Sequence, residues 1–326
     1  MTYSLDPVLQ TQGAHSVHDP ASPQTRSIDQ LGDAMYLTAG VVFVLVVAAL
    51  LWSVFRRRRE DELGDTPRAT RRMTTSVLGA TGVTTVILFV FLNLDFAAGR
   101  ALTTNPDKGA LQIRVTGHQW WWEVQYRDSL PQNWANTANE IHVPVGRPVV
   151  FELRSTDVIH SLWPPNLNGK RDLIPGNENS IWFRADSVGV YRGQCAEFCG
   201  HQHAKMAFLV VAQPPDSFSA WLVRQRDTAM TPTDPVALRG QEVFLASSCV
   251  MCHAIGGTPA GSRIGPDLTH LASRRTIAAG TLPNTRGNLA GWIVNPQAIK
   301  PGVRMPSTRL DSDDLQALLT YLETLK

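Results

Sequence analysis

Two long apolar runs near the N-terminus constrain this chain more than any other feature. Residues 36–55 carry no charge, and residues 74–94 form a second uncharged run that includes five threonines. An α-helix rises about 1.5 Å per residue, so each run is long enough to cross the roughly 30 Å hydrocarbon layer of a bilayer. The sequence therefore predicts a transmembrane helical hairpin over residues 36–96. The alternative is one span followed by a buried core helix.

The charges around these runs predict an orientation. The tail before the first run holds one basic and four acidic residues, which is the reverse of a removable signal peptide. Basic loops stay in the cytoplasm, so the tail and everything after the hairpin are expected on the outer, periplasmic side of the plasma (inner) membrane. The loop between the runs contains seven arginines: Arg56, Arg57, Arg58, Arg59, Arg68, Arg71 and Arg72.

Overall charge excludes a dedicated nucleic-acid binder, because 30 basic residues nearly balance 28 acidic ones. Residues 110–212 contain short β-branched segments separated by turn residues and show no helical periodicity. This pattern predicts an all-β sandwich of roughly a hundred residues.

Two pairs of cysteines indicate metal or cofactor chemistry. The first pair lies in a twelve-residue segment that also offers an imidazole and a thioether, and a further histidine, His160, lies upstream. Thiolate, imidazole and thioether together suit copper, and two cysteines, two histidines and one methionine fit two ions bridged by both sulfurs. A simple Cys195–Cys199 disulfide would leave the other donors unexplained. The segment's four candidate ligands are Cys195, Cys199, His203 and Met206.

The second pair belongs to a C-x-x-C-H sequence, Cys249 to His253, which is the attachment signature for c-type haem. Both thiols would bind the haem covalently, and His253 would be an axial ligand. Met305 is the only methionine downstream, in a Pro-bounded loop, and is the predicted second axial ligand, with His270 as the fallback. Lys300 and Lys326 are the only lysines of this region.

A helix over residues 312–325 is predicted from its apolar spacing. Ser312 would be its N-cap. The helix resembles the last helix of a class I cytochrome c, which implies that it packs on the first helix of the domain through Gly240 and Phe244. A flexible linker, residues 214–235 with one short helix, would precede this domain.

The sequence C-x-E-x-C-G-x-x-H-x-x-M, preceded by DVIHS at 157–161 and GHQWWW at 117–122, resembles the CuA domain of cytochrome c oxidase subunit II. The resemblance covers roughly residues 20–225, and residues 236–326 resemble a class I cytochrome c. Together they imply a membrane-anchored multidomain protein. Its parts would be an outer tail (1–35), a transmembrane hairpin (36–96), an all-β CuA cupredoxin domain (97–213), a short helix and linker (214–235) and an all-α cytochrome c domain (236–326).

The resemblance also implies roles for individual residues. Cys195 and Cys199 would bridge two coppers, and His160 with Met206 would complete one of them. His203 and the backbone carbonyl of Glu197 would complete the other, while the Glu197 carboxylate would face a possible Mg²⁺ at the subunit I interface. Trp120 would be the electron-entry tryptophan.

The combined domains resemble subunit II of a caa-type oxidase. This implies electron flow from haem c to CuA and on to the haem of subunit I, where O₂ is reduced to water with coupled proton translocation. Expected partners are subunit I, other oxidase subunits, the lipid bilayer and a donor, either a soluble cytochrome c or another respiratory complex. Two alternatives stay open: a donor subunit of a nitric oxide reductase, and a copper carrier.

Overall fold

The computed structural model describes residues 15–56, 67–103, 106 and 109–326. The chain divides into two compact units, one formed by Arg26–Thr104 and the other by the residues on either side of it. The first unit contains two long helices, and the second contains all of the β-structure and the C-terminal helices.

Helix α1 spans Pro23–Phe55 and helix α2 spans Pro67–Thr103. By length and composition, both are able to cross a membrane. Each extends beyond its apolar run and begins with proline, a residue whose fixed φ suits the first turn of a helix. Three of the seven arginines, Arg57 to Arg59, lie outside the described residues.

The segment before α1 belongs structurally to the β-domain, although the sequence suggested only an outer tail. The backbone N–H of Ala21 donates to the carbonyl of Asn166 at 2.8 Å, and the Ala21 carbonyl accepts from Asp186. The Ser22 hydroxyl donates to the carbonyl of Leu167 at 2.6 Å. These bonds attach the chain to the sandwich directly before α1.

Two five-stranded sheets form the β-sandwich, in the orders β3-β2-β1-β5-β8 and β4-β10-β9-β6-β7. The β1–β5 and β4–β10 pairs are parallel, and the remaining pairs of the two sheets are antiparallel. The strands are β1 Leu111–His118, β2 Trp121–Tyr126, β3 Ala135–Ala138, β4 Glu140–Pro144, β5 Val149–Ser155, β6 His160–Trp163, β7 Arg171–Leu173, β8 Asn179–Phe183, β9 Gly189–Cys195 and β10 Ala207–Gln213.

The sandwich core is filled by strand residues that alternate inward, as a two-layer β-fold requires. Trp122, Phe151 and Phe208 are fully buried between the sheets, and burial of each such side chain stabilises the fold by roughly 1.5–3 kcal/mol. Gly193 permits the closest packing, since a Cβ there would lie 2.1 Å from the Phe208 ring. This core supports the loops that leave β6 and β9.

The C-terminal region is mainly helical and has its own apolar core. Helix α3, Pro215–Arg224, instead packs Phe218 and Trp221 into the sandwich core. The other elements are α4 Pro235–Ala246, α5 Arg286–Val294, α6 Pro296–Ile299, α7 Ser312–Leu322, the two-residue strands β11 Thr276–Ile277 and β12 Leu282–Pro283, and short 3₁₀ turns. A β-sandwich followed by a helical domain confirms the predicted fold class.

The predicted contact between the first and last helices of this domain is confirmed. A Cβ on Gly240 would lie 2.0 Å from the Ala317 carbonyl oxygen, so only glycine allows this approach, and the rings of Phe244 and Tyr321 lie 6.3 Å apart. The cap differs from the prediction: Asp311, not Ser312, caps α7 by accepting from the Asp314 N–H. An aspartate is a favourable N-cap because its carboxylate accepts one of the unpaired N–H groups.

The linker after α3 is not a free tether. The Asp227 carbonyl is 3.2 Å from the His270 ring nitrogen Nε2, and the Ala229 N–H donates to the Gly256 carbonyl at 3.0 Å. Sequence composition indicated flexibility here. These two hydrogen bonds instead fix the linker on the helical domain, because their partners lie far along the chain.

Candidate copper centre and haem pocket

The five copper-ligand candidates converge because three neighbouring strands hold them. Cys195 ends β9, Met206 precedes β10, and these strands pair so that the intervening loop folds back on itself. His160 begins β6, which pairs with β9 through Leu162 opposite Cys195. Strand pairing thus brings His160 to the loop from 35 positions upstream.

The donor atoms of this cluster lie within a few ångströms of one another. The two cysteine sulfurs are 3.8 Å apart, and the Cys195 sulfur is 3.9 Å from His160 Nδ1. The Cys199 sulfur lies 3.7 Å from His203 Nδ1 and 3.8 Å from the Met206 sulfur. Because a disulfide bond measures about 2.05 Å, these cysteines are two separate thiols, and the disulfide alternative is wrong.

Charge and hydrogen bonding organise the cluster. Burial opposes ionisation of the Asp157 carboxyl, but hydrogen bonds from His160 and from the backbone of Val158 and Gln119 lower its pKa to about 2. The Asp157 carboxylate lies 2.9 Å from His160 Nε2, which leaves Nδ1 facing Cys195. A carboxylate on the far nitrogen is the usual support of a metal-binding histidine.

The thiol pair is electrostatically coupled. Hydrogen bonds from Cys199 and His160 lower the pKa of Cys195, and the Cys195 sulfur in turn raises the pKa of Cys199. One sulfur is therefore a thiolate more readily than its neighbour, and thiolate is the form that binds metal. Two buried sulfurs, two imidazoles and a thioether are soft or borderline donors that fit copper.

The Glu197 carbonyl belongs to this cluster, since its oxygen lies 3.2 Å from the Cys195 sulfur. The Glu197 side chain is exposed. Among the described residues, the group of possible His, Cys and acidic ligands consists of His160, Cys195 and Cys199, without Glu197. Magnesium binding by Glu197 therefore stays a prediction.

Trp120 lies against the same loop. It is buried, and its indole Nε1 donates to the Cys199 carbonyl at 2.9 Å. It occupies the turn between β1 and β2 rather than a strand. Trp120 and Trp122 both belong to the sandwich core, whereas Trp121 stacks on His118 with the ring centroids 4.4 Å apart.

The haem-ligand candidates lie in turns and loops of the helical domain. Cys249 lies in a 3₁₀ turn over Ser248–Met251, and Cys252 and His253 follow it directly. His253 Nδ1 lies 2.7 Å from the Pro266 carbonyl, and burial lowers the pKa of this histidine. The ring is thus oriented and kept neutral, the form in which imidazole binds iron.

The surroundings of His253 and Met305 fit a haem. A Cβ on Gly265 would lie 2.7 Å from the His253 ring, so glycine makes room for it. Met305 packs against the apolar core of the helical domain. The fallback ligand His270 is buried with both ring nitrogens near backbone carbonyls, of Lys326 at 2.8 Å and Asp227 at 3.2 Å. Both ring nitrogens of His270 thus already face backbone carbonyls, and Met305 stays the predicted second axial ligand.

Several residues around these sites had no predicted role. Gln119 donates its amide to the Cys199 carbonyl at 2.8 Å and accepts from Arg304, the neighbour of Met305, at 3.1 Å. Lys300 is buried, and burial lowers its pKa to about 7. Glu140 is buried as well. Gln119 had a signal only in its place within the GHQWWW segment, and Lys300 only as one of two lysines in its region. Their contacts join residues far apart in sequence, so no local pattern predicts them.

The comparisons with known proteins agree with this architecture. Residues 131–213 match the family described as cytochrome c oxidase subunit II, periplasmic domain, and residues 237–326 match cytochrome c. Cytochrome c oxidase subunit 2 of Alkalihalophilus pseudofirmus is 35% identical over 94% of this chain and 90% of its own length. The Bacillus sp. strain PS3 protein of the same name is 37% identical over 68% of this chain and 64% of its own length.

A solved structure, the periplasmic domain of cytochrome oxidase subunit II from Bradyrhizobium japonicum, is 30% identical with a TM-score of 0.35. The matched region covers 37% of this chain and 96% of the Bradyrhizobium japonicum chain.

Fold and sites together define an oxidoreductase subunit with two apolar N-terminal helices, a cupredoxin-like domain and a cytochrome c domain. The chain belongs to the cytochrome c oxidase subunit 2 family.

Proposed function

We propose that this chain is the electron-entry subunit of a caa-type cytochrome c oxidase. Electrons would enter at a covalent haem c, pass to a dinuclear CuA centre and leave for the haem of subunit I, where O₂ is reduced to water with coupled proton translocation. The observation that carries the proposal is the convergence of the Cys195, Cys199, His160, His203 and Met206 donor atoms beside the buried Trp120.

The chain's own residues would hold the copper in a fixed environment. Asp157 orients His160, and the Cys199 carbonyl is fixed by the side chains of Gln119 and Trp120. Cys195, Cys199 and Met206 are nearly inaccessible to water. A rigid, dry ligand set favours electron transfer because the ligands need little rearrangement between the two redox states.

In the helical domain, Cys249 and Cys252 would bind haem covalently, with His253 and Met305 as axial ligands. Methionine and histidine ligation raises the reduction potential of a cytochrome. The Pro266 carbonyl lies 2.7 Å from Nδ1 of His253 and orients the ring, which leaves Nε2 as the nitrogen that would bind iron. This pairing suits a haem that exchanges single electrons and takes no part in oxygen reduction.

The two long helices would anchor the chain in the plasma (inner) membrane, with the arginine-rich loop in the cytoplasm and both metal domains on the outer side. Subunit I and other oxidase subunits would be its partners there. The donor would be a soluble cytochrome c or another respiratory complex. The Glu197 carboxylate would meet Mg²⁺ only where subunit I completes the site.

The test compares two methionine variants in the assembled oxidase. Met206→Leu removes a proposed copper ligand and should change the copper absorption and EPR spectrum while the haem c band keeps its intensity. Met230→Leu is the matched control, because Met230 is 85% exposed and lies in the linker. An unchanged copper spectrum in M206L would contradict the proposed ligand set.

Two further measurements separate the alternatives. Copper in an electron-transfer centre should resist a chelator that strips a copper carrier. Oxygen consumption that exceeds nitric oxide reduction in the purified complex distinguishes the oxidase from a nitric oxide reductase.

A further inference from the structure

Lys300 of the helical domain is buried against the β-domain. Its side chain is 1% exposed, and its amine donates to the carbonyls of Lys205 at 2.9 Å, Trp120 at 3.1 Å and Ala278 at 3.1 Å. A lysine ammonium has three N–H donors, so each one has a carbonyl acceptor. Two of these acceptors belong to the β-domain, and removing the amine would leave buried carbonyl groups without this donor.

A buried carboxylate makes the reverse contact, because it reaches from the β-domain to the backbone of the helical domain. Glu140, at the start of β4, is 2% exposed, and its carboxylate accepts from the backbone N–H groups of Arg275 at 2.5 Å and Thr276 at 3.1 Å. Buried charges are costly unless hydrogen bonds satisfy them. Each domain thus places a buried ionisable side chain among backbone partners of the other, which indicates a fixed contact.

The acceptors of Lys300 adjoin the proposed copper ligands. Lys205 directly precedes Met206, and the indole of Trp120 donates to the carbonyl of Cys199. On the other side, Lys300 begins the short loop that leads to Met305. One side chain therefore connects the loop of the proposed haem ligand with the loop of the copper ligands.

Arg304 makes a second connection between these loops. Its guanidinium donates to the Gln119 side-chain oxygen at 3.1 Å, and Gln119 donates its own amide to the Cys199 carbonyl at 2.8 Å. Arg304 also lies 3.7 Å from the Asp157 carboxylate. Lys300 and Arg304 therefore attach the loop over residues 300–305 to the β-domain near both of its ends.

We propose that Lys300 and Arg304 are positioning residues that hold the Met305 loop against the copper loop, so that the two redox centres keep one fixed separation. This inference rests on the proposed function. A tether alone raises the effective concentration of the two domains, whereas a fixed contact also removes the search for a productive orientation.

The experiment uses the assembled, full-length oxidase with Lys300→Met, which keeps the length of the side chain but removes the amine. Lys326→Met is the matched control, since Lys326 is the other lysine of the helical domain and is exposed. The first measurement is the enhancement of copper EPR relaxation by oxidised haem c, which depends on the distance between the copper centre and the haem. The second is the rate of electron transfer between these two centres.

In K300M we expect weaker relaxation enhancement and electron transfer at least five-fold slower, with the haem band and copper signal per chain unchanged. K326M should match the wild type in both. Wild-type relaxation and rate in a fully loaded K300M would overturn the positioning role.

If K300M fails to bind haem or copper, Arg304→Gln decides, because the Arg304 side chain is 65% exposed and its removal spares the domain cores. A slower rate with weaker relaxation supports the proposal, and wild-type values overturn it. Loss of the copper or haem signal from the wild type itself would instead contradict the proposed function.

Discussion

At the scale of single residues, four of the copper-ligand candidates come from one short segment, and Asp157 and Gln119 support the cluster from outside that segment. Cys195, Cys199, His203 and Met206 lie within one segment of twelve residues, so their proximity is local. Asp157 was visible only as part of a family motif. Its contact with His160 at 2.9 Å and with the Gln119 backbone at 2.7 Å depends on how the loops fold together.

Replacing Asp157 by asparagine should weaken copper binding without removing a ligand. The carboxylate holds His160 in orientation, and loss of such a partner typically lowers metal affinity about 10–100-fold. Copper retention against a graded series of chelator concentrations measures the effect. Asp172→Asn, on strand β7 of the same sheet as His160, is the control and should retain copper like the wild type. Equal retention in both variants would show that Asp157 does not support the site.

A second residue-scale prediction concerns the haem pocket. Gly265→Ala would place a Cβ 2.7 Å from the His253 ring and force the ring to move. We expect a shifted or weakened reduced haem c band. Gly261→Ala, four positions earlier, meets no heavy atom within 4 Å and should leave the band unchanged. An unaltered spectrum in G265A would contradict the proposed position of His253.

At the scale of secondary-structure elements, the periodicity of apolar residues predicts the buried face of a helix better than the residues at which it begins and ends. The apolar face of α7 was correctly placed, with Leu318, Leu319 and Leu322 buried. Serine is a good N-cap, so the sequence predicts Ser312 as the cap, but the helix uses the equally suitable Asp311 one position earlier. Helix α1 begins at Pro23, well before the apolar run, because polar residues also continue a helix.

Two glycines in the helices of this domain give opposite predictions for the free energy of unfolding. Gly240→Ala would bring a Cβ within 2.0 Å of the Ala317 backbone, and such overpacking costs about 1–3 kcal/mol of unfolding free energy. Gly291→Ala, in α5, meets nothing within 4 Å and should stabilise its helix by about 0.5–1 kcal/mol.

Thermal unfolding of the haem-loaded protein, followed by the haem band, measures both variants. The midpoint should fall for G240A and rise or stay level for G291A. Equal midpoints would contradict the close approach of α4 and α7.

At the scale of the whole molecule, sequence indicated the order of the domains but not their contact. Composition favoured a flexible linker, whereas the linker is bonded to the helical domain and Lys300 and Glu140 cross between the two folds. The Lys300–Trp120 contact joins residues 180 positions apart. No local pattern encodes such a contact, because it depends on the relative placement of two separately patterned domains.

In the proposed function, one short loop and His160 hold two copper ions in a chain that also carries a covalent haem. Metal analysis of the matured complex, with EPR of its copper, tests this most directly. We expect two copper ions for each haem c, and copper hyperfine splitting from two equivalent nuclei. A single zinc ion, an absence of copper, or splitting from one copper nucleus would contradict it.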